Sequence, residues 1–153
     1  MTTLNLQRDA SHAPVYGNEA FVAIKSMTLD GATVNDPGDF DGTGNPATLF
    51  TVTGQVVAVC FGIIEVGLVG ATATIEVGVV GDTTSFMALT ATGDAPATYV
   101  WIDANPAVTE YMPTSHILNA TNIIQTVRTA NITAGQITYY CLWRPLSVGA
   151  SVV

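Results

Sequence analysis

Nowhere in this chain do apolar residues recur with the 3.6-residue period of a helix. Val, Ile, Thr, Tyr and Phe gather instead in short runs broken by Gly, Asp, Asn and Pro, a pattern that favours strands closed by tight turns. The runs lie near Ala20 to Leu29, Thr48 to Thr53, Gln55 to Val69, Thr72 to Val80, Ser85 to Thr92, Thr98 to Asp103, Asn122 to Thr129 and Gln136 to Arg144. Many short strands and no helix predict an all-β chain, a single β-sandwich or jelly-roll-like domain over residues 18–153. Residues 1–17 are polar and irregular, with Pro14 and Gly17, and read as an extended N-terminal arm preceding it. The segment Asp30 to Ala47 is rich in Gly, Asp, Asn and Pro without periodicity, and its length suits a functional loop.

Two segments can be read residue by residue. Ile64-Glu65-Val66-Gly67-Leu68-Val69-Gly70 is echoed by Ile75-Glu76-Val77-Gly78-Val79-Val80-Gly81. With Gly70-Ala71 as a two-residue turn, the echo predicts a hairpin. Its apolar face would carry Ile64, Val66 and Leu68 against Ala73, Ile75 and Val77, and the other face would set Glu65 directly against Glu76. The second segment is the last long strand, where Ile137, Tyr139, Cys141 and Trp143 alternate with Thr138, Tyr140, Leu142 and Arg144 until Pro145 ends the ladder. Both of its faces are largely apolar, as expected of a strand central in a sandwich or covered by a neighbouring subunit.

Charge narrows the partners. Only 10% of the residues are charged, with 4 basic against 12 acidic and a net charge of -8. A surface so poor in Lys and Arg has nothing with which to neutralise phosphates, so nucleic acid is not an expected partner. Thr, Ser, Asn and Gly must wet the surface instead, and small neutral residues are cheap to desolvate. That suits lasting contact with other protein chains. The first residues have neither a basic stretch nor an apolar run of signal-peptide type, and the longest apolar run, Val56 to Ile64, is too short for a bilayer span. No Sec export and no membrane partner are expected, and the sequons at Asn119 and Asn131 carry little weight. Cys60 and Cys141 lie in apolar runs and read as reduced, buried thiols, with a disulfide between them as the alternative.

The search for chemistry returns little. His12 falls in the arm and His116 in a loop after Pro113-Thr114-Ser115, and no nucleophile elbow, phosphate loop or zinc motif is present. No catalytic residue, cofactor or metal ligand is assigned; an enzyme would need a preformed pocket holding His116 and two carboxylates. Asp36-Pro37-Gly38-Asp39-Phe40-Asp41-Gly42 clusters carboxylates but fails the spacing of a calcium-binding hand, and reads as a solvated turn. Trp101 and Trp143 sit in apolar runs and read as core or interface rather than as a sugar platform.

Three segments, Gly70 to Gly81, Trp101-Ile102-Asp103-Ala104-Asn105-Pro106 and Gly135 to Ser147, resemble those of small virion structural proteins of tailed bacteriophages. The resemblance spans roughly the last two thirds of the chain and carries no catalytic motif. It implies a non-enzymatic decoration (cement) protein, a homo-oligomer and most simply a homotrimer, bound outside the major capsid protein and stabilising the capsid. It also implies a virion location after assembly in the host cytoplasm. An N-terminal arm that pairs with capsid protein is common in such proteins, and Leu4, Leu6, Arg8, His12 and Tyr16 would be its contact residues. The alternative expectation is a carbohydrate-binding or adhesive β-sandwich on a phage fibre or cell surface.

Overall fold

The computed structural model describes residues 20–31, 34–111 and 113–153; Leu4, Leu6, Arg8, His12 and Tyr16 of the expected arm lie outside the described residues. Eleven strands follow in order: β1 (Phe21–Thr28), β2 (Ala47–Phe50), β3 (Val52–Thr53), β4 (Gln55–Val69), β5 (Thr74–Val79), β6 (Asp82–Ala91), β7 (Val100–Trp101), β8 (His116–Asn119), β9 (Ile123–Arg128), β10 (Ala134–Pro145) and β11 (Ser151–Val152). The chain is all-β, as the punctuated runs predict. Among the described residues no helix is long and apolar enough to cross a membrane.

Sheet one has the order β1-β10-β4-β7, with β8 also lying along β4; sheet two has the order β2-β9-β5-β6, and β11 pairs with β3. All these pairings are antiparallel. With the short β3, β8 and β11 set aside, the first strand pairs with the last, β2 with β9, β4 with β7 and β5 with β6. Such nested pairing is what a long hairpin leaves when it rolls into two sheets, and it defines the jelly roll.

The inward residues of both sheets share one core. Cys60, Ile64, Ile137 and Tyr139 of sheet one meet Ile75, Val77, Met87, Ile123 and Val127 of sheet two, all of them buried. Gly62, in mid-strand, leaves the room that lets two rings close over it: an added Cβ would approach Ile137 Cγ2 at 3.0 Å and the Tyr139 ring at 3.4 Å. Trp101, opposite Gly62 on β7, and Tyr139 fill that space with ring centroids 6.4 Å apart.

Three hydrogen bonds tie the sheets together where apolar packing alone would let them slide. The Tyr139 hydroxyl donates to Gln125 Oε1 (2.8 Å), Trp101 Nε1 donates to Thr90 Oγ1 (3.0 Å), and Lys25 Nζ donates to the Thr48 carbonyl (2.9 Å). Gln125, fully buried, also donates through Nε2 to the Pro37 carbonyl (3.1 Å), so both ends of its amide are satisfied.

The expected hairpin is absent. β4 and β5 lie in different sheets, and residues 70–73 cross from one to the other. Thr92 fastens that crossing, donating Oγ1 to the Gly70 carbonyl (2.8 Å) and N–H to the Ala73 carbonyl (3.1 Å). An added Cβ at Gly70 would come within 2.7 Å of Ala73 Cβ and 2.8 Å of the Asn131 carbonyl oxygen. Ile64, Leu68, Ala73, Ile75 and Val77 are buried as expected, because alternation fixes which residues face the core and says nothing of which strand lies alongside.

Val66 departs from that pattern and is half exposed, since the β4–β10 register shifts on either side of the Gln136–Val66 pair and turns its side chain outward. Glu65 and Glu76 are not neighbours. Glu76 instead takes both Nε (3.0 Å) and Nη2 (2.9 Å) of Arg128 on one carboxylate oxygen. Arg128 comes from the adjoining strand β9, within the same chain.

Candidate functional site

Two surfaces stand out, one apolar and one acidic. The first is the outer face of sheet one. In β4 the side chains of Val57, Val59, Phe61 and Ile63 alternate with core residues; β10 adds Tyr140 and Leu142 beside them, β1 adds Val22 and Ile24, and β8 adds Ile117. Val22 is 54% exposed, Ile24 61% and Ile117 75%. Phe61 and Tyr140 stack at the centre with centroids 5.3 Å apart and planes within 10°. Among the described residues the charges of this field stand at its ends, Arg144 opposite Val57 and Glu65 at the far end of β4. A cavity of about 300 Å³ lined by Val57, Val59, Leu142 and Arg144 opens along the same strands.

Such a face is large. Three strands about 4.8 Å apart, over eight residues rising about 3.3 Å each, cover roughly 380 Å² of sheet, and the four residues of β8 add roughly 60 Å². That is about half of the ~800 Å² of accessible surface that each partner gives to a standard interface, and it matches the roughly 300–600 Å² of a monomer's largest apolar patch, which is often functional. The sequence signal was present in β10, whose two apolar faces call for cover on both sides.

The second surface is a cleft of about 530 Å³ between the start of β6 and the connection from β7 to β8, lined by Ser85, Phe86, Asp103, Glu110, Tyr111 and His116 among others. The local backbone makes it. β6 returns from a turn at Gly81 (φ 94°), then slips register against β5 between the Val79–Asp82 and Val77–Met87 pairs, which pushes Ser85 and Phe86 out of the ladder towards β8. His116 lies in a strand rather than the expected loop. Its ring meets that of Phe86 at 4.6 Å between centroids. Asp103 is held by an Asx turn, its Oδ1 accepting the Asn105 N–H (2.9 Å).

The pocket that an enzyme would require, with His116 and two carboxylates, is therefore present. Its hydroxyl is not poised: Ser85 Oγ is buried without a hydrogen-bond partner, so no base holds it as a nucleophile. The cysteines are further from reactivity. Cys60 and Cys141 face each other across β4 and β10 as free, buried thiols. Burial pushes the Cys141 thiol up from 9.0 to about 12. Burial and, after it, the charge of Cys141 push Cys60 well above its ordinary value. Neither is a thiolate at neutral pH.

The acidic loop closes on itself. Asp39 is buried and its Oδ2 accepts the Asn35 N–H (3.0 Å), while Asn131 Oδ1 accepts the Phe40 N–H (3.0 Å) and Asn45 Oδ1 accepts the Val127 N–H (2.9 Å). Among the described residues no group of three or more His, Cys, Asp or Glu is placed to hold a metal ion. Trp101 is enclosed in the core, whereas Trp143 is partly buried, packs against Phe21 with centroids 4.9 Å apart and lines the cavity beside Leu142 and Arg144. No family model, no curated protein and no solved structure matches the chain.

Proposed function

We propose that the protein is a structural subunit that assembles as a homo-oligomer, most simply a trimer, through the outer face of sheet one. In this proposal it binds the outside of a tailed-phage capsid as a decoration protein and stabilises it without turnover. The observation that carries the assembly is that face, an uncharged field centred on the Phe61–Tyr140 stack in a chain whose net charge is -8. Burying it against a second copy brings few carboxylates together, and the apolar area supplies the driving force. The capsid as partner rests on the resemblance of the three sequence segments and on the poverty of charge. Sedimentation of the native chain beside Phe61→Glu and Leu142→Glu tests the assembly. Oligomers in the native chain and monomers in both variants, with unchanged β-sheet circular dichroism, are expected; a native monomer at micromolar concentration removes the proposal. Binding to purified capsids tests the partner. A ligand-binding role, of which a carbohydrate-binding sandwich is one form, is favoured by a different observation, the cleft with Tyr111 90% exposed at its rim.

A further inference from the structure

We infer that the cleft between β6 and the β7–β8 connection binds a guanidinium group. The inference does not depend on the assembly role. Asp103 and Glu110 bring two carboxylates to the lining, and among the described residues no Lys or Arg joins them. Apolar walls of Phe86, Ile102 and Pro113 reduce screening and focus the negative field into the cleft. An anion is repelled there. A bare metal ion lacks the required ligand set, since no three such groups converge among the described residues.

What fits two carboxylates and aromatic surface in one cleft is a planar, weakly hydrated organic cation. Guanidinium offers a fork that matches a carboxylate and a flat face that stacks on rings, and Phe86, His116 and Tyr111 supply rings at the wall and rim. An ammonium has the charge without the fork or the plane. The volume of about 530 Å³ lies within the range of ligand pockets and exceeds what one side-chain head needs, leaving room for the chain that bears it. A free guanidino compound and an arginine side chain on a protein share this chemistry.

The test is an amide-shift NMR titration of the full chain with acetyl-arginine-amide, agmatine and an Ala-Arg-Ala peptide, with acetyl-lysine-amide and a neutral disaccharide as comparators. Shifts confined to the cleft residues, affinity for the guanidinium probes severalfold above the lysine probe, and a tenfold or greater loss in Asp103→Asn/Glu110→Gln are expected. A tighter peptide than agmatine marks a protein-borne arginine as the source; the reverse marks a small molecule. The chain's own Arg8 is checked by Arg8→Ala. Binding that appears only in that variant supports the site and names its native occupant. Guanidinium probes that bind neither form, bind elsewhere, or are indifferent to Asp103→Asn/Glu110→Gln while that variant keeps the native melting temperature overturn the inference. So does a cleft that takes the disaccharide and not guanidinium.

Discussion

The outer face of sheet two carries Thr48, Thr74, Glu76, Thr126 and Arg128, whereas that of sheet one carries Val22, Ile24, Val57, Val59, Phe61, Ile63, Tyr140 and Leu142. On sheet two the chain finishes its own surface. Glu76 is only 4% exposed because Arg128 lies over it, and Arg128 Nη2 reaches on to Thr83 Oγ1 (3.3 Å). Leu89, half exposed at the β6 edge, and Ile124, opposite Thr48 and buried, are apolar exceptions there. Among the described residues no strand of the chain gives sheet one such cover. An antiparallel sheet usually keeps one face dry and one wet, and in the proposed assembly this sheet, apolar on both faces, is half of an interior whose other half a second copy supplies.

The comparison can be broken most directly at two adjacent residues. Ile64 points into the core and is fully buried, while Ile63 points out of sheet one. Ile64→Ala should cost ~2–5 kcal/mol at every protein concentration, as a core truncation does. Ile63→Ala should cost under about 1.5 kcal/mol in dilute protein and more as concentration rises, because in the proposed assembly its partner atoms belong to another copy. Denaturant titrations at two concentrations decide it, and equal, concentration-independent losses would end the distinction between the faces. Arg128→Ala tests sheet two. Leaving the Glu76 carboxylate buried and unpaired should cost about 1–3 kcal/mol, independent of concentration, and a loss that grows with concentration would show that sheet two is also an assembly face.

At neutral pH the inner face beneath the apolar field adds no further difference, and its effect shows only in alkali. Cys141 is raised to about 12, and Tyr139 is raised well above its ordinary 10.0, by burial first and by Cys60 second. A group that holds its proton more tightly when folded gives stability that is complete below its unfolded pKa and is lost as pH rises towards its folded value. For Cys141 that window runs from 9.0 to about 12. Urea midpoints should fall with pH there, and Cys141→Ala should flatten the fall; the same slope in variant and native protein would refute the assignment.

The all-β class and the span of β4, Gln55–Val69, were legible because alternation and glycine punctuation are local signals. Pairing was not. The same buried set of Ile64, Ile75 and Val77 serves a hairpin and a crossing between sheets, and only the Thr92 clasp on Gly70 and Ala73, distant in sequence, selects the crossing. β8 was missed because its four residues, His116–Asn119, are too few to show a period and follow a proline-containing loop. β11 is shorter still. The cleft was half legible: its carboxylates were visible as residues, but Ser85 and Phe86 reach it through a register slip that no periodicity announces.

Pairing first strand with last also has a consequence in time. β10 lies between β1 and β4, so neither of those strands has its principal neighbour until residue 145 has been made, whereas β5–β6, β4–β7, β4–β8, β5–β9 and β2–β9 draw only on residues up to 128 and can pair earlier. A chain emerging from the ribosome therefore cannot present the apolar field to a sister chain before its own core is complete, because the strand that carries Tyr140 and Leu142 is the same one that seals the core. Topologies dominated by such distant pairs fold slowly, and in the proposed assembly the delay orders the two events, folding before association. Pulse proteolysis of ribosome-bound chains should find them cleavable until β10 has emerged, and early protection of β1 and β4 would contradict this order.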